Sequence, residues 1–190
     1  MEKFNILASK IIPLDLDNID TDMIIPAQYL KSVSKSGYGQ HLFAALREMY
    51  SDFILNQDAY KSGKVLLSKT NFGCGSSREH AVWAFTQYGI KAIICSSFSD
   101  IFFNNAIKNG LLLIKMPENI VNQWIKASLS NANLELTIDL PNQTITFLDE
   151  KHSFEYDPYN KYCLINGHDD LDYLLSCKHE IEKYENKNRI

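Results

Sequence analysis

Between Lys64 and Lys115 three apolar runs alternate with two amphipathic segments, and no other stretch limits the possible folds so strongly. KVLLS (64–68), IKAIICSSF (90–98) and LLLIK (111–115) are nearly continuous in apolar residues, the pattern of strands buried on both faces. Between the first two, Ala81, Ala84, Phe85 and Tyr88 follow the i, i+3, i+4, i+7 spacing of a helix, and Gly89 stands where a left-handed closing residue is wanted. Between the last two, Ser99 is placed to cap DIFFNNAIKN and Gly110 to end it. This β-α-β-α-β alternation predicts parallel strands joined by right-handed crossovers.

The flanks differ. Residues 3–12 read as a strand, HLFAALREMY from His41 as a helix, and Pro117 suits the first turn of the helix PENIVNQWIKASL. Beyond Asn131, LELTIDL, TITFLDE and SFEYD alternate polar and apolar residues around PNQ, as antiparallel strands do. The tail from Tyr159 reads as helical, with a break at Gly167. Without repeats or a linker-like tract, the expectation is one α/β domain over residues 1–190, its mixed sheet parallel in the middle and antiparallel later.

With 190 residues and 45% apolar side chains, the chain can bury a core without covalent staples. A net charge of −4 provides no basic field to draw in nucleic acid or an anionic membrane. No apolar run approaches the roughly 20 residues that cross a bilayer. The start lacks the basic and apolar regions of a signal peptide, so the expected location is cytoplasmic. Cys74, Cys95, Cys163 and Cys177 form no CxxC pair, which argues against a zinc knuckle or a self-contained iron–sulfur site. Free thiols in a reducing compartment, and no metal on this chain, are the simpler reading.

The turn NFGCGSSREH (71–80) is the place where chemistry concentrates. A strand, a Gly-rich turn and a helix aim several N–H groups and the positive helix end at one point. Gly73 and Gly75 permit positive φ and close approach, the backbone of Gly73, Cys74 and Gly75 forms the anion turn, and Arg78 offers a planar fork to a carboxylate. The turn has neither GxGxxG nor the P-loop lysine, so a carboxylate is favoured over a phosphate. Ser76-Ser77-Arg78-Glu79 also fits a capping box, with Ser76 as N-cap and Glu79 reaching back. Cys74 reads as a small packed side chain, although a helix start can activate a thiol. His80 reads as a hydrogen-bond partner of a neighbouring loop. The acidic run Asp15, Asp17, Asp20, Asp22 fails as a calcium loop, since its sixth and twelfth positions hold Asp20 and Pro26. It reads as a solvated turn with one aspartate directed into a site.

The turn closely resembles the swivel-domain motif of the aconitase superfamily. NIDTDMIIPAQYL, GYGQHLF, NFGCGSSREHAVWA, FSDIFFNNAIKNGLLLIK and NGHDDLDYLL resemble, in order, one branch: the small subunits of bacterial 3-isopropylmalate dehydratase. The resemblance implies a swivelling three-layer β/β/α domain and a hydro-lyase of leucine biosynthesis that interconverts isopropylmalates by dehydration and rehydration. It also implies a large-subunit partner, in a heterodimer or higher assembly, that carries a four-iron, four-sulfur cluster on its own cysteines. By the same resemblance Ser76 is the base and Arg78 binds a carboxylate of the small dicarboxylic acid substrate. Ser77 lines the pocket, Asp22 belongs to the active site, and residues 30–37 choose between substrate side groups. Lys35 stands in that loop where relatives usually have arginine, keeping the charge without the two-pronged grip. Asn160-Lys161 likewise replaces a basic pair expected before the Cys-x-x-Asn-Gly stretch. A homoaconitate- or citraconate-type hydratase, a non-catalytic anion- or partner-binding module and a Cys74 thiol hydrolase are the alternatives.

Overall fold

The computed structural model describes residues 1–31 and 35–187. Its organising strand is β1 (Ile6–Leu14). Residues 6–10 of β1 pair antiparallel with β5 (Glu135–Asp139), whereas residues 11–14 pair parallel with β2 (Val65–Ser68). Each half of β1 is therefore paired on one side. Pro13 falls in the second half, where a residue without an N–H is tolerated. The parallel ladder continues through β3 (Ala92–Cys95) to β4 (Leu112–Lys115). The antiparallel ladder continues through β6 (Thr144–Phe147) to β7 (Glu150–Ser153), for an overall order β4-β3-β2-β1-β5-β6-β7. The mixed α/β fold expected from the sequence is present.

Alternation along the parallel strands sends side chains into two cores. Ile12, Leu66, Ile93 and Leu113 face one core, joined by α3 (Glu79–Tyr88) and α4 (Asp100–Lys108) through Phe85 and Phe102. Ile11, Val65, Leu67 and Ile94 face the other, with Trp124 and Ile125 of α5 (Glu118–Ser130) and Ile138 and Ile145 of the antiparallel half. Both faces are covered, which is why these strands carry no polar face. The short helices α1 (Thr21–Ile24) and α2 (Ala44–Met49) lie on the connection from β1 to β2. Helices α6 (Pro158–Asn166), α7 (Asp170–Ser176) and α8 (Lys178–Lys187) form the tail. Gly167 (φ 71°) makes the expected break.

Three boundaries move. The helix expected from His41 starts at Ala44, because Phe43 takes a left-handed conformation (φ 52°) that places its ring, fully buried, in the first core. TITFLDE is not one strand but is cut by a tight turn at Leu148 (φ 49°) and Asp149 (φ 63°), which lacks the usual Asn-Gly marker. The run IKAIICSSF leaves the sheet after Cys95. Ser97 and Ser99, the latter just past the run, bond the Gly-rich turn instead, with Phe72 N–H to Ser97 O at 3.0 Å and Ser99 N–H to Phe72 O at 3.0 Å.

Candidate active site

The segment after β1 and the segment after β2 meet at the carboxyl ends of the parallel strands, where open α/β sheets place ligands. The N–H groups of Gly73 and Cys74 both donate to Ile19 O, at 2.7 and 3.1 Å, and Thr21 N–H donates to Cys74 O at 3.0 Å. On the other side, Ser99 Oγ donates to Gly73 O at 2.5 Å. At Gly73 (φ 74°) an added Cβ would lie 2.3 Å from Phe102 Cγ, so close packing as well as the dihedral demands glycine. Gly73 and Cys74 thus spend their donors on holding the turn. The backbone facing solvent begins at Gly75, and the N–H groups of Gly75, Ser76, Ser77 and Arg78 donate to no acceptor among the described residues.

The capping box does not form. Helix α3 starts at Glu79, its N-cap is Arg78, and no side chain caps it. The Glu79 carboxylate accepts from Asn109 Nδ2 at 3.0 Å, and Asn109 Oδ1 in turn accepts from Trp83 Nε1 at 2.9 Å. A tertiary partner has taken the group that the local pattern assigned to the helix start. Ser76 and Ser77 remain exposed, ahead of the helix.

Arg78 and Asp22 come together. Asp22 Oδ1 accepts from Nη1 and Asp22 Oδ2 from Nη2, the latter at 2.9 Å, while Nη1 also reaches Ile25 O at 3.4 Å. A guanidinium has five donors in one plane, so the edge formed by Nε and the outer hydrogen of Nη2 makes no bond within the described chain. Asp22 holds the plane end-on and leaves the side-on edge for another carboxylate. The Arg78 side chain is 17% exposed.

The rest of the acidic run serves structure. Asp20 caps α1 by accepting from Met23 N–H at 2.7 Å, Asp17 accepts from Thr70 N–H at 3.2 Å, and Asp15 pairs with Lys69 at 2.7 Å. That last pairing raises the Lys69 pKa.

Lys35 is not brought to Arg78 by any contact. Its Nζ sits 5.2 Å from the centre of the Trp83 ring, and its carbonyl accepts from Gln87 Nε2 at 2.6 Å. Gln87 Oε1 accepts from Tyr38 N–H at 2.8 Å, so one side-chain amide on α3 brackets the loop. Residues 32–34 of the loop lie outside the described residues. His80 meets the same loop through ring packing, 5.2 Å from Tyr38 and 4.7 Å from Trp83, rather than through the expected hydrogen bond. Cys74 is half-buried in the turn, and the His80 ring is engaged with Tyr38 and Trp83.

Thr21 is the site residue that the sequence reading passed over. It is 2% exposed, and its Oγ1 lies 3.1 Å from Ser76 O and 3.4 Å from Ser76 Oγ. Its place inside the D-T-D stretch was the available signal.

No group of three or more His, Cys, Asp or Glu among the described residues is arranged to hold a metal ion, and all four cysteines are free thiols. Burial pushes the Cys95 thiol pKa far up. Among the described residues the thiols are not gathered as the ligands of a cluster would be. Cavities of about 270 Å³ beside Cys163 and His168, and about 420 Å³ beside Phe103 and Tyr156, have none of Ser76, Ser77, Arg78 or Asp22 in their walls. The turn faces open solvent instead. No helix among the described residues is long and apolar enough to cross a membrane.

A swivel-type α/β domain with a Gly-rich turn at its strand ends is the class that this geometry defines, and residues 1–119 match the aconitase C-terminal domain family. The chain is 49% identical, over all of both chains, to the 3-isopropylmalate dehydratase small subunit of Francisella tularensis subsp. novicida. It is 46% identical to the protein of that name from Rhodospirillum centenum, covering all of this chain and 96% of the relative. The crystal structure of 3-isopropylmalate dehydratase from Methanocaldococcus jannaschii superposes with a TM-score of 0.69 at 28% identity, covering 94% of this chain and 99% of that one. The chain belongs to the family of 3-isopropylmalate dehydratase small subunits.

Proposed function

We propose that this chain, acting as one domain over residues 1–190, supplies the base and the carboxylate grip of a hydro-lyase that interconverts 2- and 3-isopropylmalate in leucine biosynthesis. The observation that carries this reading is the exposed Ser76 hydroxyl beside a helix start with no side-chain cap, two residues from an arginine with an open edge. Arg78 takes one substrate carboxylate side-on, with Asp22 fixing the plane of the fork. The N–H groups of Gly75, Ser76 and Ser77, with the positive end of α3, stabilise negative charge at Ser76 Oγ and on the bound acid. An alcohol acts as a base near neutral pH only with such support. Ser76 then removes the proton next to a substrate carboxylate.

The site is open to solvent, which suits a half-site that a large subunit completes. We assign the four-iron, four-sulfur cluster to that subunit, where it supplies Lewis-acid chemistry toward the hydroxyl when bound. Activity is then confined to the assembled pair, in the cytoplasm. The test is Ser76→Ala, assayed with the large subunit present. Turnover falls at least about 10³-fold if Ser76 is the base. Near-normal turnover would remove it from that role.

One observation favours a second reading, a homoaconitate- or citraconate-type hydratase. Lys35 rests on Trp83 and presents a single point charge rather than a fork. Steady-state assays across a panel of such acids separate the two readings. Lack of preference for isopropylmalate would reject the first. A reconstituted pair that binds carboxylates without any turnover would instead make the chain a binding module.

A further inference from the structure

We infer that Thr21 is a positioning residue for Ser76, donating a hydrogen bond to its oxygen when that oxygen carries negative charge; the inference rests on the reading of Ser76 as the base. Thr21 opens α1 and is buried, with its backbone N–H already committed to Cys74 O at 3.0 Å. Its hydroxyl has one proton and two acceptors within reach, both on the same residue: Ser76 O at 3.1 Å and Ser76 Oγ at 3.4 Å. Opposite it, Gly75 leaves room, since a Cβ there would lie 3.4 Å from Thr21 Oγ1. The branched Thr21 side chain, packed in place, has little rotamer freedom.

The two acceptors define two arrangements. With Ser76 neutral, Thr21 donates to the Ser76 carbonyl, and the Ser76 hydroxyl can donate back to Thr21 Oγ1. With Ser76 deprotonated, a bond to the charged oxygen is about twice as strong as one to a neutral carbonyl, so the Thr21 proton turns to Ser76 Oγ. In dehydration the substrate C–H bond breaks and an O–H bond forms on Ser76. The electron pair of the C–H bond becomes the C=C bond, and the hydroxyl leaves as hydroxide with the electron pair of its C–O bond, to be made water by a proton from solvent. The Thr21 proton stays on Thr21 throughout and swings back to the carbonyl. Rehydration reverses each movement.

The experiment uses the reconstituted two-subunit enzyme with Thr21→Val, which keeps the shape and loses the donor, and Thr21→Ser, which keeps the donor and loses the methyl. Thr21→Val should lower kcat about 10- to 100-fold with KM little changed. Its kcat–pH profile should move to higher pH by about one unit or more, because the charged form of Ser76 has lost a donor. Thr21→Ser should stay near the parent, and Ser76→Ala with Thr21→Val should be no worse than Ser76→Ala alone. Should Thr21→Val fail to fold, Thr21→Cys, whose thiol is a weak donor, takes its place against Thr21→Ser. Parent-like kcat and pH profile in Thr21→Val, or equal losses in Thr21→Cys and Thr21→Ser, would overturn the inference while a dead Ser76→Ala keeps the base. An active Ser76→Ala would instead remove the reading beneath it.

Discussion

Helices α3 and α7 begin in opposite ways. At α7 the Asp169 carboxylate accepts from Asp172 N–H at 2.8 Å, and the Asp172 carboxylate accepts from Asp169 N–H at 3.1 Å, a complete capping box. At α3 the sequence offers a box of the same form, Ser76 to Glu79, and the fold leaves it unmade. Helices α7 and α8 bury none of their residues, so local hydrogen bonds must do what packing does elsewhere. Helix α3 buries Ala81, Val82, Ala84 and Phe85 completely and stands without a cap. A helix secured by its core can leave its first N–H groups to a ligand. One secured by its ends cannot.

The comparison breaks most readily at the turn. Ser76→Ala carries the largest expected effect, the loss of turnover stated above. Gly73→Ala comes next, because its Cβ would overlap the Phe102 ring in a backbone conformation with positive φ. We expect a destabilisation of about 2–4 kcal/mol, read as a lower denaturant midpoint of the isolated chain. A parent-like midpoint would mean that the turn is looser than described. Arg78→Lys keeps the charge and loses the open edge, so it should weaken substrate binding about 10- to 100-fold in KM. An unchanged KM would place the carboxylate elsewhere.

The smallest effects belong to the tail and sharpen the contrast from its other side. Asp169→Ala should lower helicity in α7, seen as faster amide exchange at Asp172, and leave turnover of the assembled enzyme unaltered. Acid should do the same. The hydrogen bond from Asp172 N–H holds the Asp169 pKa below its ordinary value of 3.8. Its stabilisation is therefore fully present above that pH and is lost as pH falls through the lower folded-state value. Amide exchange at Asp172 that ignores pH across this window would show that the box contributes nothing.

Much of the site was legible because its residues lie within one short stretch. Ser76, Ser77 and Arg78 follow Gly73 and Gly75 directly, and a turn between a buried strand and an amphipathic helix has few other forms. Asp22 was placed in the site by resemblance, but its end-on grip on Arg78 joins residues 56 apart and has no local signature. The failure of the capping box arose the same way: Asn109, from the far end of α4, took Glu79. The Lys35 ammonium rests on Trp83, a partner that no spacing rule connects to it.

The sequence by itself determined the parallel β-α-β-α-β centre, the antiparallel additions and the location of the turn. Each is written in periodicity and in Gly, Ser and Pro punctuation, which act over a few residues. Tertiary structure alone decided which N–H groups stay free, which edge of Arg78 is open and that the Thr21 hydroxyl lies under Ser76. Those outcomes depend on which distant groups reach a donor or acceptor first, and that competition is settled only when the core closes.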